Sequence, residues 1–372
     1  MIKKTSFFAL LLPLLMLVGC GPQAQVGSGE LPDIIKIGWI GPLTGGLASL
    51  GQDQKAGVAL YFEEHPEIAG VPVRVIYEDG KCNGQDGAAA AQKLVNIDKV
   101  KVILGGQCSG ETLAAAPITE AHQVILLSST SSSPEITTAG DYVFRNYPSD
   151  MDVALTMVKD ALAHHSKFAM LTEQTDYGQG FRKSIKTHLE ALGAADQLLM
   201  DEAYGVDNTD FRTLLTKVKD TGADALFFIA QTPTTAAFGV KQARELAMDI
   251  QFYGGDAWSG PELFKIGKDA VEGAKMVLVT EDPSRKAYQE FEQRAPDPQF
   301  SHFYQALGYD GAQIIAEGID KVGYDGSALK DYLNNLGRYQ GVASDVNLDE
   351  NGDNKVDASV KIVRNGEWVF AE

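Results

Sequence analysis

Two patterns of hydrophobicity alternate along the chain from residue 34 onward, and this alternation restricts the fold more than any other feature. Short apolar runs rich in β-branched residues, such as 34–40, 102–104 and 124–127, have the pattern of buried strands. Between them lie Ala-rich amphipathic segments, such as 85–96 and 111–121, with the spacing of helices. Strands that alternate with helices in this way form parallel sheets covered by helices on both faces, so the sequence predicts an α/β fold.

A second series of the same kind follows the first. Its predicted strands lie at residues 168–171, 198–202, 225–229, 251–253 and 277–280. Helices are predicted between these strands, for example at residues 180–192. Longer helical segments, such as 302–322, follow up to residue 336, and the tail from residue 343 to 370 is short and β-rich. A chain of 372 residues is long enough for two α/β domains. We therefore expect two similar halves, each of them doubly wound.

The N-terminus has the layout of an export signal. Lys3 and Lys4 precede an apolar run at residues 7–18, which is too short for a comfortable membrane span. The sequence Leu-Val-Gly-Cys that ends at Cys20 resembles the lipobox of bacterial lipoproteins. We therefore predict a signal peptide at residues 1–19, a lipid on Cys20 and a flexible tether at residues 20–32, with an uncleaved anchor as the alternative.

Export also bears on the two remaining cysteines, Cys82 and Cys108. An even pair in an oxidising compartment predicts a disulfide, and two free thiols are the alternative. The formal net charge of −18 repels nucleic acid and is typical of a soluble extracytoplasmic protein.

Ligands of open α/β sheets bind beyond the carboxyl ends of the strands. Five loops of this kind have glycine-rich or polar sequence: 41–46, 105–111, 128–135, 172–180 and 253–258. Ser109 has the position of a helix cap beside free backbone N–H groups, which could hold a carboxylate. Asp256 follows two glycines and could pair with an ammonium group. Turn packing, helix capping and a flexible serine linker are the alternatives without a ligand.

Taken in order, these loops resemble the branched-chain amino acid-binding proteins of ABC importers. The similar segments are 37–51 with Gly-Pro-Leu-Thr-Gly, 77–82, 105–109, 128–135, 176–180 and 309–312. The resemblance implies a type I periplasmic-binding fold, with two Rossmann-like, doubly wound parallel-sheet lobes joined by three crossings. It places residues 33–147 and 281–336 in the first lobe and residues 148–280 and 337–372 in the second. It also implies a disulfide between Cys82 and Cys108.

The family's ligand-binding positions correspond to particular residues of this chain. By resemblance, the α-carboxylate of an amino acid is held by Ser109, Thr130, Ser131 and Ser132. Tyr177 and Asp256 complete the site, and Asp256 takes the α-ammonium. Leu50 and Gln231 stand where the family often has aromatic residues. Because the aromatic residues are absent at these two positions, the ligand could be a polar amino acid or an amide as well as leucine.

The predicted function is that of a lipid-anchored solute-binding protein, in the periplasm or on the outer face of the cell membrane. We expect a monomer that binds a small amino acid-like ligand between its lobes, closes around it and delivers it to an ABC permease. No cofactor or metal is expected, because the histidines lack ligand spacing. The sequence also contains no Gly-x-Ser-x-Gly motif of the kind that indicates a hydrolytic enzyme. A sensory ligand-binding protein is the main alternative.

One acidic segment needs separate mention. Residues 347–353 begin like a calcium-binding loop, but the twelfth position is Ala358 instead of a bidentate glutamate. We therefore expect a β-turn at this point of the chain.

Overall fold

The computed structural model describes residues 31–206, 208–279 and 282–371. The predicted signal peptide, Cys20 and most of the predicted tether lie outside the described residues. The first part of the chain forms strands β1 (Ile35–Gly41), β2 (Glu67–Ile68), β3 (Val71–Asp79), β4 (Val102–Gly105), β5 (Ile125–Ser128) and β6 (Val143–Arg145). Helices α1 (Ala48–Glu64), α2 (Gly84–Lys93) and α3 (Ser109–His122) connect them. The sheet order is β2-β3-β1-β4-β5-β6, and its pairs are parallel except β2 with β3.

The second part repeats this plan. Its strands are β7 (Phe168–Glu173), β8 (Leu198–Tyr204), β9 (Ala225–Ile229), β10 (Gln251–Gly254) and β11 (Lys275–Val279). Its helices are α4 (Asp150–His164), α5 (Asp176–Ala191), α6 (Arg212–Thr221), α7 (Pro233–Glu245) and α8 (Glu262–Gly267). Strands β9 and β11 are buried along their whole length, as expected for an apolar run inside a covered parallel sheet.

The last part of the chain contributes to both sheets. Helices α9 (Lys286–Glu292), α10 (His302–Val322) and α11 (Gly326–Asn334) return to the first sheet, where α10 packs along α1. The strands that follow are β12 (Arg338–Gln340), β13 (Asp345–Asn347), β14 (Ala358–Arg364) and β15 (Glu367–Phe370). Strands β14 and β15 extend the second sheet antiparallel, which gives the order β15-β14-β11-β10-β9-β7-β8.

The segment around β12 and β13 corrects one predicted boundary. Val342, Ala343 and Val346 are buried in the hydrophobic cluster of the first sheet. The carboxylate of Asp310 on α10 accepts the backbone N–H groups of Val342 and Ala343 at 2.5 and 2.9 Å. Placing residues 337–372 in the second lobe is therefore wrong for this segment, and the tail joins the second sheet only from β14 onward. The other lobe boundaries remain a proposal.

The chain passes between the two sheets three times, after β6, after β11 and before β14. The first and third connections lie side by side. The buried guanidinium of Arg145 forms an ion pair with Asp353, with Nε and Oδ1 2.6 Å apart. The Arg145 N–H donates to the Gly352 carbonyl at 3.0 Å, and the Asn354 side chain donates to the Asn146 carbonyl at 3.0 Å.

These observations confirm the predicted fold class of two doubly wound α/β lobes. Helix α10 has the predicted bounds, His302–Val322. Helix α5, in contrast, begins at Asp176 instead of residue 180, because the Thr175 hydroxyl caps it by accepting the Gly178 N–H at 3.0 Å. In the described part of the chain, no helix combines the length and apolar character needed to cross a membrane.

Candidate functional site: a cavity between the two sheets

A small cavity lies between the two sheets, beyond the carboxyl ends of their strands. Concave sites of this kind are where small molecules commonly bind. The residues that line it come from both halves and from the start of α10: Leu47, Leu50, Gln107, Cys108, Ser109, Thr130, Ser132, Tyr177, Gln231, Asp256, Ala257, Phe300 and Tyr304.

The first sheet gives the cavity a wall of hydrogen-bonding groups. Ser109 is the first residue of α3, and the leading N–H groups of a helix have no acceptor inside the helix. The Thr130 hydroxyl donates to the Gln107 carbonyl at 2.7 Å and keeps that loop against the strand end. Backbone donors at a helix N-terminus, beside neutral hydroxyl groups, form an environment that favours an anion such as a carboxylate.

The second sheet places a carboxylate on the opposite wall. Asp256 is 8% exposed, and both of its oxygens accept hydrogen bonds from tyrosine hydroxyls. Tyr147 donates to Oδ2 at 2.7 Å and Tyr177 donates to Oδ1 at 3.0 Å. Gly255 permits this approach, because a Cβ at that position would lie 2.1 Å from the Tyr177 hydroxyl oxygen.

A second buried carboxylate lies behind the cavity wall. The Ser132 hydroxyl donates to Asp150 Oδ2 at 2.9 Å. Burial raises the pKa of Asp150 well above its ordinary value, and the negative charge of Asp256 raises it further. Burial also raises the pKa of Asp256, against the hydroxyls of Tyr147 and Tyr177, which lower it. Among the described residues that line the cavity there is no Lys or Arg.

The remaining wall is apolar and partly aromatic. Leu47 and Leu50 come from the N-terminal end of α1, whereas Phe300 and Tyr304 come from the segment that begins α10. The rings of Phe300 and Tyr304 meet edge to face, with centroids 5.2 Å apart. Leu50 and Gln231 line the cavity at the positions where the family often has aromatic residues, and Phe300 and Tyr304 add two aromatic rings from another part of the chain.

The structure brings seven of the eight predicted ligand-binding residues to this cavity: Leu50, Ser109, Thr130, Ser132, Tyr177, Gln231 and Asp256. Ser131 is the exception. Its hydroxyl donates to the Gly106 carbonyl at 2.9 Å and lies 2.7 Å from the Thr112 hydroxyl oxygen. Ser131 therefore faces α3, whereas its neighbours Thr130 and Ser132 line the cavity.

Sequence reasoning missed Gln107, Tyr147, Phe300 and Tyr304. Phe300 and Tyr304 are four residues apart, on either side of the start of α10. That spacing was the available signal, but it does not say which cavity the two rings would meet. Tyr147 acts through Asp256 and has no sequence signal of its own.

Cys82 and Cys108 form a disulfide whose Cα atoms are 5.2 Å apart. Cys108 lines the cavity, and the Gln231 amide nitrogen of the other half lies 2.8 Å from Cys82 Sγ. The carboxylate of Glu111 supports this region by accepting the backbone N–H groups of Gln107 and Cys108 at 2.9 and 3.0 Å, and that of Cys82 at 2.8 Å. The disulfide thus forms part of the site wall.

The segment that begins like a calcium loop forms a turn. Asp349 Oδ1 accepts the N–H groups of Asn351 and Asp353 at 2.9 and 3.1 Å. The carboxylate of Asp353 pairs with Arg145 and accepts the Thr137 hydroxyl at 2.7 Å. Within the described ranges, no group of three or more His, Cys, Asp or Glu side chains is arranged to hold a metal ion.

Two α/β lobes with a cavity between their facing edges are the arrangement found in periplasmic-type solute-binding proteins. A profile of the family described as "Periplasmic binding protein" matches residues 34–366. The chain belongs to this family, and within it to the group of the Leu/Ile/Val-binding proteins and their homologues. Members of the family are solute-binding proteins and not enzymes.

Individual relatives agree with this assignment. The leucine-, isoleucine-, valine-, threonine-, and alanine-binding protein of Pseudomonas aeruginosa is 30% identical over 303 residues, which cover 78% of this chain and 79% of the relative. The structure of a leucine-binding protein from Thermotoga maritima superposes with a TM-score of 0.82 at 26% identity, over 91% of this chain and 98% of the other. A solute-binding protein of an ABC transporter from Rhodopseudomonas palustris, in complex with 3,4-dihydroxybenzoic acid, shares the fold with a TM-score of 0.78 at 23% identity, over 91% and 95%.

Proposed function

We propose that this protein binds an aliphatic α-amino acid as a zwitterion in the cavity between its lobes and delivers it to an ABC permease. The wider proposal includes export, a lipid on Cys20 as the anchor, and action as a monomer at the outer face of the cell membrane. Cys20 lies outside the described residues, so its role depends on the lipobox alone.

One observation carries the choice of ligand: two walls of opposite preference face each other across the cavity. The buried carboxylate of Asp256 favours an ammonium group, since a buried charge is costly unless it is paired. The N-terminus of α3, with Ser109 and Thr130 beside it, favours a carboxylate. An α-amino acid presents both groups on adjacent atoms and therefore matches both walls.

The third wall favours an aliphatic side chain. Leu47, Leu50, Phe300 and Tyr304 leave a mostly apolar surface, to which Gln231 adds one amide. Burying a leucine-sized side chain against such a surface contributes roughly 1.5–3 kcal/mol. Of the possibilities left open by the sequence, leucine and similar amino acids therefore fit better than a strongly polar ligand. The range of amino acids in the name of the Pseudomonas relative is consistent with this choice.

An aromatic carboxylic acid is the second candidate, because Phe300 and Tyr304 offer ring contacts and one structural relative holds 3,4-dihydroxybenzoic acid. Against it, such an acid brings no cation to Asp256. It would add a negative charge to a site that already contains Asp150 and Asp256. The charge balance of the cavity thus disfavours this class.

Calorimetric titration with four compounds separates these candidates. Leucine carries both charged groups, 4-methylpentanoate lacks the ammonium, 3-methylbutylamine lacks the carboxylate, and 4-hydroxybenzoate is an aromatic acid. We expect leucine to bind and both single-charge analogues to bind at least about 30-fold more weakly, since each leaves one charged wall unpaired. Tighter binding of 4-hydroxybenzoate than of leucine would overturn the proposal.

Contacts from both halves to one ligand also give a mechanism for delivery. A ligand that touches both lobes stabilises the closed arrangement by its differential affinity for that state. A sensory role would use the same closure, and the two roles differ in the partner. Ligand uptake by membrane vesicles that contain a permease, measured with and without this protein, distinguishes transport from sensing.

A further inference from the structure

Asp53 is a buried carboxylate whose bonds all go to one remote segment. It lies in α1 and is 2% exposed. Its oxygens accept the backbone N–H groups of Gln299, Phe300 and Ser301 at 3.0, 2.7 and 2.8 Å. The Gln305 side-chain nitrogen donates to it as well, at 3.2 Å. Within the described residues Asp53 makes no ion pair, so these donors are what compensates its burial.

The bonded segment is the one that supplies the aromatic wall. Phe300 lies in the middle of the three N–H donors, and α10 begins two residues later and carries Tyr304. Three consecutive N–H groups at the start of a helix form an anion-binding arrangement, strengthened by the helix dipole. Asp53 occupies that arrangement with a carboxylate of the protein itself and fixes the backbone that orients Phe300.

The same helix also carries the opposite part of the apolar wall. Leu50 precedes Asp53 by three residues, so both lie on one side of α1. Helix α1 packs closely on α10, since a Cβ at Gly57 would lie 1.8 Å from the Gln305 carbonyl oxygen. The packing of α1 on α10 therefore sets the distance between Leu50 and Phe300. Asp53 lies at the end of this helix contact that is nearest the cavity.

We propose that Asp53 is a positioning residue that sets the depth of the side-chain pocket and thereby the preference among aliphatic amino acids. This inference rests on the proposed function. Asp53 does not touch the ligand; it acts through Phe300. Its loss affects ligands that reach the aromatic wall, such as leucine, more than alanine, whose single methyl group stays near the charged walls.

The test compares leucine and alanine by calorimetry in the wild type and in Asp53→Asn, Phe300→Ala and the double variant. We expect Asp53→Asn to reduce the preference for leucine over alanine by about tenfold, the discrimination that one methylene gives in an apolar pocket. In the Phe300→Ala background, Asp53→Asn should leave the preference unchanged. A purely structural role would weaken both ligands by the same factor and would overturn the inference, as would an unchanged effect in the double variant.

Asp310→Asn is the matched control. Asp310 is likewise a buried carboxylate that accepts backbone N–H groups, but its partners Val342 and Ala343 do not line the cavity. This variant should lose stability with no change in the leucine preference. If Asp53→Asn does not fold, the test uses Asp53→Glu, which retains the charge but displaces the acceptor oxygens. An unchanged preference for leucine over alanine in Asp53→Glu refutes the inference. Absence of any amino acid binding to the wild type would instead refute the proposed function.

Discussion

Replacement of Asp256 by asparagine is the most direct probe of the charged half of the site. The change keeps the size of the side chain and leaves one oxygen to accept a hydroxyl from Tyr147 or Tyr177, while the negative charge is lost. In the wild type each carboxylate oxygen accepts one hydroxyl, that of Tyr147 at 2.7 Å and that of Tyr177 at 3.0 Å. The variant therefore alters the charge more than the geometry.

The magnitude follows from the burial of the carboxylate. Unit charges 4 Å apart interact by roughly 4 kcal/mol at an effective dielectric constant of about 20. Burial raises the pKa of Asp256, so part of this energy is used to keep the group ionised. We expect a net loss of about 2–4 kcal/mol for leucine, which corresponds to roughly 30- to 1000-fold in Kd.

The assay is calorimetric titration of the wild type and Asp256→Asn with leucine and with 4-methylpentanoate, at neutral pH. The variant should lose affinity for leucine but not for 4-methylpentanoate, which has no ammonium to lose. Tyr177→Phe serves as the control, because it removes one hydrogen bond and should cost about tenfold at most. An equal loss for both ligands would refute the reasoning, since Asp256 would then support the fold of the site and not the ammonium.

Two further predictions concern stability. Replacing Cys82 and Cys108 by alanine opens a loop with a sequence separation of 26, which on the chain-entropy relation costs about 3–4 kcal/mol; an unchanged urea midpoint would contradict this. Burial raises the pKa of Glu111 from 4.5 to about 7. The folded state therefore holds the proton more tightly than the unfolded state, and the stability from Glu111 is full below pH 4.5 and is lost as the pH rises through 7. A shift of this size is worth roughly 3 kcal/mol. Glu111→Gln should remove this pH-dependent difference in urea unfolding between pH 5 and pH 8, and an identical pH profile in wild type and variant would exclude it.

The regular part of the fold was predictable because its signals are local. Strands such as β9 are continuous apolar runs between helical segments, and α10 has a clear helical period from end to end. The segment around β12 and β13 was not predictable in the same way. It is short and partly polar, and it is held in place by Asp310, which lies 32 and 33 residues earlier in the chain than its two backbone partners.

The site divides in a similar manner. Ser109, Thr130 and Asp256 lie within four residues of the ends of β4, β5 and β10, so the topology alone brings them to one edge. Phe300 and Tyr304 do not lie in a loop at the carboxyl end of a strand. They reach the cavity because α10 packs on α1. Ser131 lies in the predicted loop but does not line the cavity, because its hydroxyl bonds to the Gly106 carbonyl and lies beside the Thr112 hydroxyl.

The buried pair of Arg145 and Asp353 has a mechanical consequence. It joins the first and third connections between the lobes, and the adjacent hydrogen bonds at Gly352 and Asn354 align them as a two-stranded ribbon. A ribbon of this kind bends more easily out of its plane than within it, because in-plane bending must stretch one strand and compress the other. The two connections therefore favour a single axis for any rotation of one lobe against the other.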